Sequence, residues 1–235
     1  MCESCGCGTH GPQTVTVREN LLSANDRVAA HVRRHFDAQG ILAVNLMSSP
    51  GAGKTSLLEA TIAALPADVR IAVIEGDLET ENDAERIRRR GVRAVQITTG
   101  VACHLDATMV HDAIDELGLD AIDILFIENV GNLVCPADFD IGQHRNVVLL
   151  STTEGDDKPA KYPVMFRNAD LVLISKTDLL PHLDDFDVAR ARAAIGSLGR
   201  GESVKEVSAK TGRGVDDWVA WLVAELAAKR QMTAA

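Results

Sequence analysis

The stretch Ser48–Thr55, SSPGAGKT, has residue types and spacing that can hold a phosphate. It nearly fits G-x-x-x-x-G-K-[ST], the phosphate-binding loop pattern, with Ser48 where the strict pattern has its first Gly. Gly51 and Gly53, flanking Ala52, admit the dihedrals that turn backbone N–H groups inward around an anion. Lys54 would neutralise β- and γ-phosphates as a mobile point charge, and the Thr55 hydroxyl would ligate Mg²⁺. A helix opening at Thr55 and Ser56 would add the positive end of its dipole to the same anion. The competing reading is a chance Gly-rich loop. The agreement of strand, loop, Lys-Thr pair and helix favours phosphate binding, with Gly51 to Ser56 as contacts.

Acidic residues that would complete such a site stand at the ends of two apolar runs. Gly76-Asp77-Leu78-Glu79 follows the run ending at Glu75, and Glu128-Asn129-Val130-Gly131 follows Ile122–Ile127. Ligands of open α/β sheets gather at carboxyl ends of strands, so Asp77 and Glu79 are candidates for Mg²⁺, directly or through water. The alternative is that both are surface acids capping the next helix. Glu128 would hold Mg²⁺ or its water, and the Gly131 amide would meet the γ-phosphate. Lys54, Thr55, Asp77 and Glu128 are thus the expected catalytic set, working by positioning and charge neutralisation. No Gln or Arg is assignable as a further catalytic group.

Base selection is written farther on. Ser175-Lys176-Thr177-Asp178 is similar to the [N/T]-K-x-D guanine reader, in which Asp178 would accept from N1–H and the 2-amino group of guanine. A site built for paired hydrogen bonds strongly rejects a ligand lacking them, so GTP is expected over ATP. The Lys176 stem would cover the base, and Ser208-Ala209-Lys210 is similar to the loop whose backbone meets guanine O6. Ser175 replaces the usual Asn, which puts bracing of that loop in question.

The five cysteines form two further groups. Cys2, Cys5 and Cys7, as C-x-x-C-G-C, can bring thiolates to one ion. With Met1 removed, the Cys2 amine would complete a four-ligand set suited to Ni²⁺ or Zn²⁺. The alternative is an inert or redox tail. Cys103, His104 and Cys135 offer a soft sulfur-and-nitrogen set. Cys135 lies four residues beyond Gly131, so a metal there would feel the nucleotide state. Three ligands leave Ni²⁺ or Zn²⁺ unsaturated, and adjacent Cys103 and His104 are expected to point apart, so a two-fold dimer pooling ligands is predicted. Equally open is that both cysteines are small buried residues and His104 opens a helix. His31 and His35 are four apart on a predicted helix and can share an ion, but a solvated pair beside Arg33 and Arg34 is the commoner case.

The elements that must position these residues alternate in an α/β manner. Apolar runs of strand length are expected at Ile41–Leu46, Val69–Glu75, Ala94–Thr98, Ile122–Ile127, Val147–Ser151, Asp170–Ile174 and Val204–Val207. Helices are expected over 14–37, Thr55–Leu65, Glu81–Arg90, a segment ending near Leu117, and 214–229, with Trp218 and Trp221 as core anchors. A loop with a short helix is expected over Thr153–Arg167. Residues 1–13 carry no periodic apolar pattern and read as a flexible metal-binding tail, leaving 14–235 as one domain. The 46% apolar and 25% charged residues suit a soluble globular chain. A net charge of −10 argues against nucleic acid or an anionic membrane as partner. Neither a signal peptide nor a membrane span is visible, so a cytoplasmic protein with reduced thiols is expected.

Taken together, Cys2-x-x-Cys5-Gly6-Cys7, SSPGAGKT, Cys103-His104, ENVGNLVCP at Glu128–Pro136 and Ser175-Lys176-Thr177-Asp178 make the chain resemble the HypB family. These are hydrogenase nickel-incorporation GTPases of the SIMIBI type, and the likeness runs from residue 2 to about 228. The resemblance implies a P-loop NTPase fold, a mostly parallel sheet flanked by helices. It implies nickel at the Cys tail, and Ni²⁺ or Zn²⁺ at Cys103, His104 and Cys135 on a GTP-favoured homodimer interface. It also implies slow GTP hydrolysis with Mg²⁺, and as partners a companion nickel chaperone of the HypA type and the hydrogenase large-subunit precursor. Family practice accepts Ser48. Many members carry a long His-rich stretch after the tail; only His10 stands there, so bulk nickel storage is not expected. The related urease nickel-delivery GTPase, which lacks this tail type, is the remaining alternative.

Overall fold

The computed structural model describes residues 11–77, 82–100, 102–201 and 203–233. Seven strands form one sheet: β1 Leu42–Ser48, β2 Ile71–Asp77, β3 Arg93–Thr98, β4 Ile124–Glu128, β5 Arg145–Ser151, β6 Leu171–Ser175 and β7 Val204–Glu206. Their order is β3-β2-β4-β1-β5-β6-β7, and every pairing is parallel. This is the P-loop NTPase fold.

Parallel strands are joined by helices that cover both faces, so their residues are apolar without alternation. In β1 and β4, Leu42, Val44, Leu46, Ile124 and Phe126 face a core shared with α2 (Lys54–Ala64) and α8 (Val215–Thr233). Ala43, Leu125 and Ile127 face the opposite core, closed by α1 (Gly11–Gln39) and α4 (Ala107–Leu117). Full burial of an aliphatic or Phe side chain contributes about 1.5–3 kcal/mol, so the central strands are the most costly to disturb. Trp218 is fully buried and its indole N–H donates to Thr61 Oγ1 at 2.8 Å, while Trp221 is half-buried and stacks on it. Trp218 is therefore the deep anchor, and Trp221 packs against the same core from its edge.

Two strands run further than the sequence reading because neighbouring strands supply ladder partners that polar residues accept. β2 runs to Asp77 because Glu75 pairs with Glu128 and Gln96, and Asp77 with Thr98. β1 likewise runs to Ser48, opposite Leu149. Helix α1 begins at Gly11, inside the segment read as tail. Between β2 and β3 lies α3 (Asn82–Arg88). Helices α5 (Lys158–Lys161) and α6 (Pro163–Arg167) are short, each with Pro in its first turn, where the missing N–H costs nothing. Helix α7, Val188–Ser197, was not expected. Its only buried side chains are Ala191 and Ile195, too narrow a stripe to show as periodicity. Its start is fixed by Asp187, whose carboxylate accepts from the Ala189 and Arg190 amides. Among the described residues, no helix is long and apolar enough to cross a membrane.

Candidate functional site

The carboxyl ends of β1, β2, β4 and β6 converge on one cleft, as the open α/β rule requires. Its phosphate-side lobe, about 480 Å³, is lined by Gly51, Gly53, Lys54, Thr55, Ser56, Glu75, Asp77, Glu128 and Gly131 among others. The loop between β1 and α2 turns through Gly51 at φ 72° and Gly53 at φ 98°, left-handed values that L side chains rarely adopt. Gly131 is held to glycine by a different constraint: a Cβ there would lie 2.7 Å from Pro50 Cα. The backbone after β4 thus rests directly on the phosphate loop.

Lys54 and Thr55 are both buried and share one carboxylate. Thr55 Oγ1 donates to Glu128 Oε1 at 3.1 Å, and Lys54 Nζ lies 3.7 Å from the same oxygen and 3.3 Å from Ser48 Oγ. Ser48, the departure from the strict pattern, therefore serves as a partner of the lysine.

Sequence reasoning missed Glu75, which it placed inside a strand and passed over for Asp77 and Glu79. Glu75 is 2% exposed and its register partner on β4 is Glu128. Glu75 Oε1 and Glu128 Oε2 are buried with no hydrogen-bond partner. Burial, then the Glu128 charge, pushes the Glu75 carboxyl far above its ordinary range. Burial also raises Glu128, against the pull of Lys54. Two acceptors side by side are compatible only if they share a proton or a cation. The signal was present in the sequence: an acid at the carboxyl end of an apolar run, as at Glu128. The orphaned oxygens, beside the Thr55 hydroxyl and Asp77, are hard oxygen donors of the kind Mg²⁺ takes. Asp77 is half-buried on the rim, and Glu79 lies outside the described residues. Arg86 of α3 also reaches this lobe, held by Asp83 at 3.0 Å and Glu59 at 2.5 Å.

A second, mostly apolar lobe of about 350 Å³ adjoins the first and is lined by Ala52, Gly53, Lys176, Asp178, Ala209 and Lys210 among others. Its loops are tied together. Ser208 Oγ donates to Asp178 Oδ1 at 2.6 Å, and Thr152 Oγ1 to the Lys176 carbonyl at 2.9 Å. Lys176, itself left-handed at φ 58°, donates from Nζ to the Gly51 carbonyl at 2.6 Å and so spans the two lobes. The bracing put in question by Ser175 is present: its hydroxyl donates to the Ala52 carbonyl at 2.8 Å.

The thiol and imidazole group assembles within one chain. The ligand atoms of Cys103, His104 and Cys135 lie within 4.8 Å of one another, with Sγ to Sγ at 2.9 Å and Cys103 Sγ to His104 Nδ1 at 3.8 Å. The expectation that adjacent Cys103 and His104 point apart is corrected by this convergence. The backbone here is an irregular turn, not a strand, so neighbouring side chains need not alternate in direction. All three residues are half-buried rather than packed away as core. Asn132 links the groups, donating to the Cys103 carbonyl at 3.3 Å and accepting from the Val134 amide at 2.8 Å. Burial lowers the His104 imidazole, keeping it neutral and able to bind a metal, and its ring lies 4.0 Å from that of Phe139. Cys2, Cys5 and Cys7 lie outside the described residues.

Comparison with known proteins points to one family and the same fold. The family model described as CobW/HypB/UreG, nucleotide-binding domain, matches residues 42–199. A hydrogenase maturation factor HypB of Rhizobium leguminosarum bv. viciae is 51% identical over 232 residues, covering 95% of this chain and 76% of the relative. The solved structure of HypB from Helicobacter pylori in complex with nickel superposes with TM-score 0.83 at 42% identity, covering 89% of this chain and 97% of that one. HypB from Archaeoglobus fulgidus gives TM-score 0.81 at 40% identity, with coverages of 87% and 100%.

Proposed function

The chain belongs to the HypB hydrogenase maturation factors within the CobW/HypB/UreG family, and from that premise we propose that it is a GTP-hydrolysing nickel metallochaperone of [NiFe]-hydrogenase maturation. The observation that carries this reading is the seating of Gly131 against Pro50, four residues before Cys135, whose thiol converges with Cys103 and His104. A γ-phosphate in the cleft changes the position that Gly131 can hold. Asn132 and Cys135 follow on the same short segment, so the change reaches the thiol pair.

In this reading Asp178 and the loop of Ser208, Ala209 and Lys210 select guanine, with the Lys176 stem along the base. Gly51 to Ser56 and the Gly131 amide hold the phosphates. Lys54 balances charge that builds on the β–γ bridge and γ-phosphate oxygens as the terminal phosphoryl leaves. Mg²⁺, when bound beside Thr55, Glu75, Glu128 and Asp77, with Glu79 close by in sequence, supplies the remaining positive charge. Water attacks slowly, because positioning and charge neutralisation do most of the work. Nickel is cargo: Cys2, Cys5 and Cys7 take it up, and Cys103, His104 and Cys135 hold Ni²⁺ or Zn²⁺ across a homodimer formed with GTP. The three internal ligands leave at least one position open on either ion, which supports pooling across a two-fold axis. Delivery involves a HypA-type chaperone and the hydrogenase large-subunit precursor in the cytoplasm, and rescue of hydrogenase rather than urease identifies the client.

The test is nickel titration of the full chain and of its Cys2/Cys5/Cys7→Ala variant, each with GDP and with a non-hydrolysable GTP analogue. The variant is expected to lose one nucleotide-independent site and keep a weaker one whose affinity changes with nucleotide. Equal affinity in both nucleotide states would overturn the coupling, since an effector without differential affinity shifts nothing.

A further inference from the structure

Helices α1 and α4 bring a second group of imidazoles together on the surface, away from the nucleotide cleft. His31 and His35 stand one turn apart on α1, with their Nε2 atoms 3.0 Å apart. His111 of α4 stacks on His31, ring centroids 5.6 Å apart, and lies edge-on to His35 at 6.2 Å. One nitrogen from each of the three rings falls within a 4.8 Å set. The sequence showed only the i, i+4 pair; the third histidine is supplied by helix packing. That packing is itself specified, because Asn25 of α1 is buried, accepts the Ala107 amide at the start of α4, and donates to the Asp140 carbonyl.

We propose that His31, His35 and His111 form a separate surface site for a divalent transition metal ion of the Ni²⁺ or Zn²⁺ class. Two histidines at i and i+4 on one helix face are the spacing of metal-binding helices. Neutral imidazole is the ligand such ions share. An ion held at about 2.1 Å places neighbouring nitrogen ligands about 3 Å apart at right angles and about 3.4 Å apart in a tetrahedron, close to the 3.0 Å between the two Nε2 atoms. His31 and His35 are exposed, so small rotamer changes can bring the three nitrogens onto one centre, and water can fill the remaining positions.

The charges around the group are mixed, with carboxylates beside His111 and a guanidinium beside His31. His111 Nδ1 lies 3.7 Å from Asp112 and 3.9 Å from Asp115, exposed carboxylates that add negative charge beside the imidazole. Of the two basic neighbours, Arg33 is drawn away by Asp140 at 2.6 Å. Arg34 meets His31 through Nδ1 at 3.4 Å, leaving Nε2 directed to the cluster. The site lies six residues past Asn25 on α1 and four past Ala107 on α4. At a helical rise of about 1.5 Å per residue, it is about 6–9 Å along the helices from the start of α4, from which Leu105 and Asp106 separate Cys103 and His104. The site does not depend on the proposed nucleotide coupling, because none of its ligands touches the cleft.

The experiment is equilibrium dialysis of the full chain against Ni²⁺ and, separately, Zn²⁺, comparing wild type with the His31→Gln/His35→Gln variant. Both positions are exposed, so the fold is retained, and circular dichroism checks it. The bound metal is expected to fall by one ion per chain in the variant. His111→Gln alone should weaken that ion by about tenfold or more, as loss of even an outer partner does. In wild type labelled with ¹⁵N at histidine, Zn²⁺ should shift the ring nitrogens of all three residues together. Unchanged stoichiometry in the double variant, or ring shifts confined to His104, would overturn the proposal. Repeating the dialysis in a chain that also carries Cys2/Cys5/Cys7→Ala and Cys103→Ala/His104→Ala/Cys135→Ala should leave one ion, removed only by the α1 substitutions. If these sites remove their own ion while the α1 pair removes none, the imidazole site fails and the metallochaperone reading stands.

Discussion

At the base end of the cleft three hydrogen bonds tie the loops together: Ser208 donates to Asp178, Ser175 to the Ala52 carbonyl, and Thr152 to the Lys176 carbonyl, while the buried Thr177 hydroxyl has no partner among the described residues. At the phosphate end, Glu75 Oε1 and Glu128 Oε2 are buried without partners, and the two carboxylates oppose each other across β2 and β4. The difference follows from what each end must do. A base is recognised by fixed donors and acceptors, so its loops profit from rigidity before the ligand arrives. Phosphate and its cation bring charges of their own, and a site satisfied in their absence would have to break bonds to admit them. The base end is preorganised for selection; the phosphate end stores an electrostatic penalty that ligand binding relieves.

The largest effect is expected where the rigid end is broken. Asp178→Asn removes the carboxylate that, in the proposed reading, accepts from guanine, while leaving a side chain of the same shape. Hydrogen bonds to charged groups contribute about 1.5–3 kcal/mol each, so GTP affinity should fall roughly 100-fold or more. ATP, which never had the paired contact, should bind as before. Competition of both nucleotides against a fluorescent GTP analogue measures the ratio. A parallel loss for both would mean that Asp178 only holds the loop.

The opposite end gives a pH signature. The Glu75 carboxyl is raised above its ordinary value of 4.5 by burial and by the charge of Glu128, so the folded chain keeps a proton that the unfolded chain releases above about 4.5. The stabilisation from that proton is complete below the unfolded value and is lost as pH rises toward the folded one. Nucleotide-free wild type should therefore lose stability between about pH 5 and 8 relative to Glu75→Gln, by up to about 1.4 kcal/mol per pH unit for one proton. With Mg²⁺ and a GTP analogue the two profiles should converge, because the cation replaces the proton. Denaturant unfolding across that range reads the slopes. Identical slopes without nucleotide would show that the carboxylates do not share a proton.

How far the sequence could be read differs between the same two ends. Gly51 and Gly53 were legible because the loop turns through left-handed backbone there, and the motifs also placed Lys54 and Asp178 on the lining of the cleft. The strands were legible for a similar reason, since burial on both faces forces apolar runs. Glu75 was not, because its importance comes from the register that sets it opposite Glu128, and register is a property of two strands. His111 escaped likewise: its partners are 80 and 76 residues earlier, on another helix. Helix α7 escaped because its stability rests on the Asp187 cap and on two buried side chains, too few to form a period. In each case the missing information was which elements pack together.

Ser175 carries the smallest expected effect and the sharpest distinction between the two ends. The position departs from the usual guanine reader, yet its hydroxyl reaches the Ala52 carbonyl at 2.8 Å and is buried. Ser175→Ala removes a donor and leaves that carbonyl short of one partner. One neutral hydrogen bond contributes about 0.5–1.5 kcal/mol net, so stability should fall by about 1 kcal/mol in denaturant unfolding. The brace joins the base loop to the phosphate loop, so GDP affinity should also fall, by about three- to tenfold if the loss is felt on binding. The Glu75-dependent pH profile should be unaffected, because the carboxylates do not touch this bond. If Ser175→Ala altered that profile instead, the two ends would not be separable. Preorganisation at the base would then be part of how the phosphate end is held.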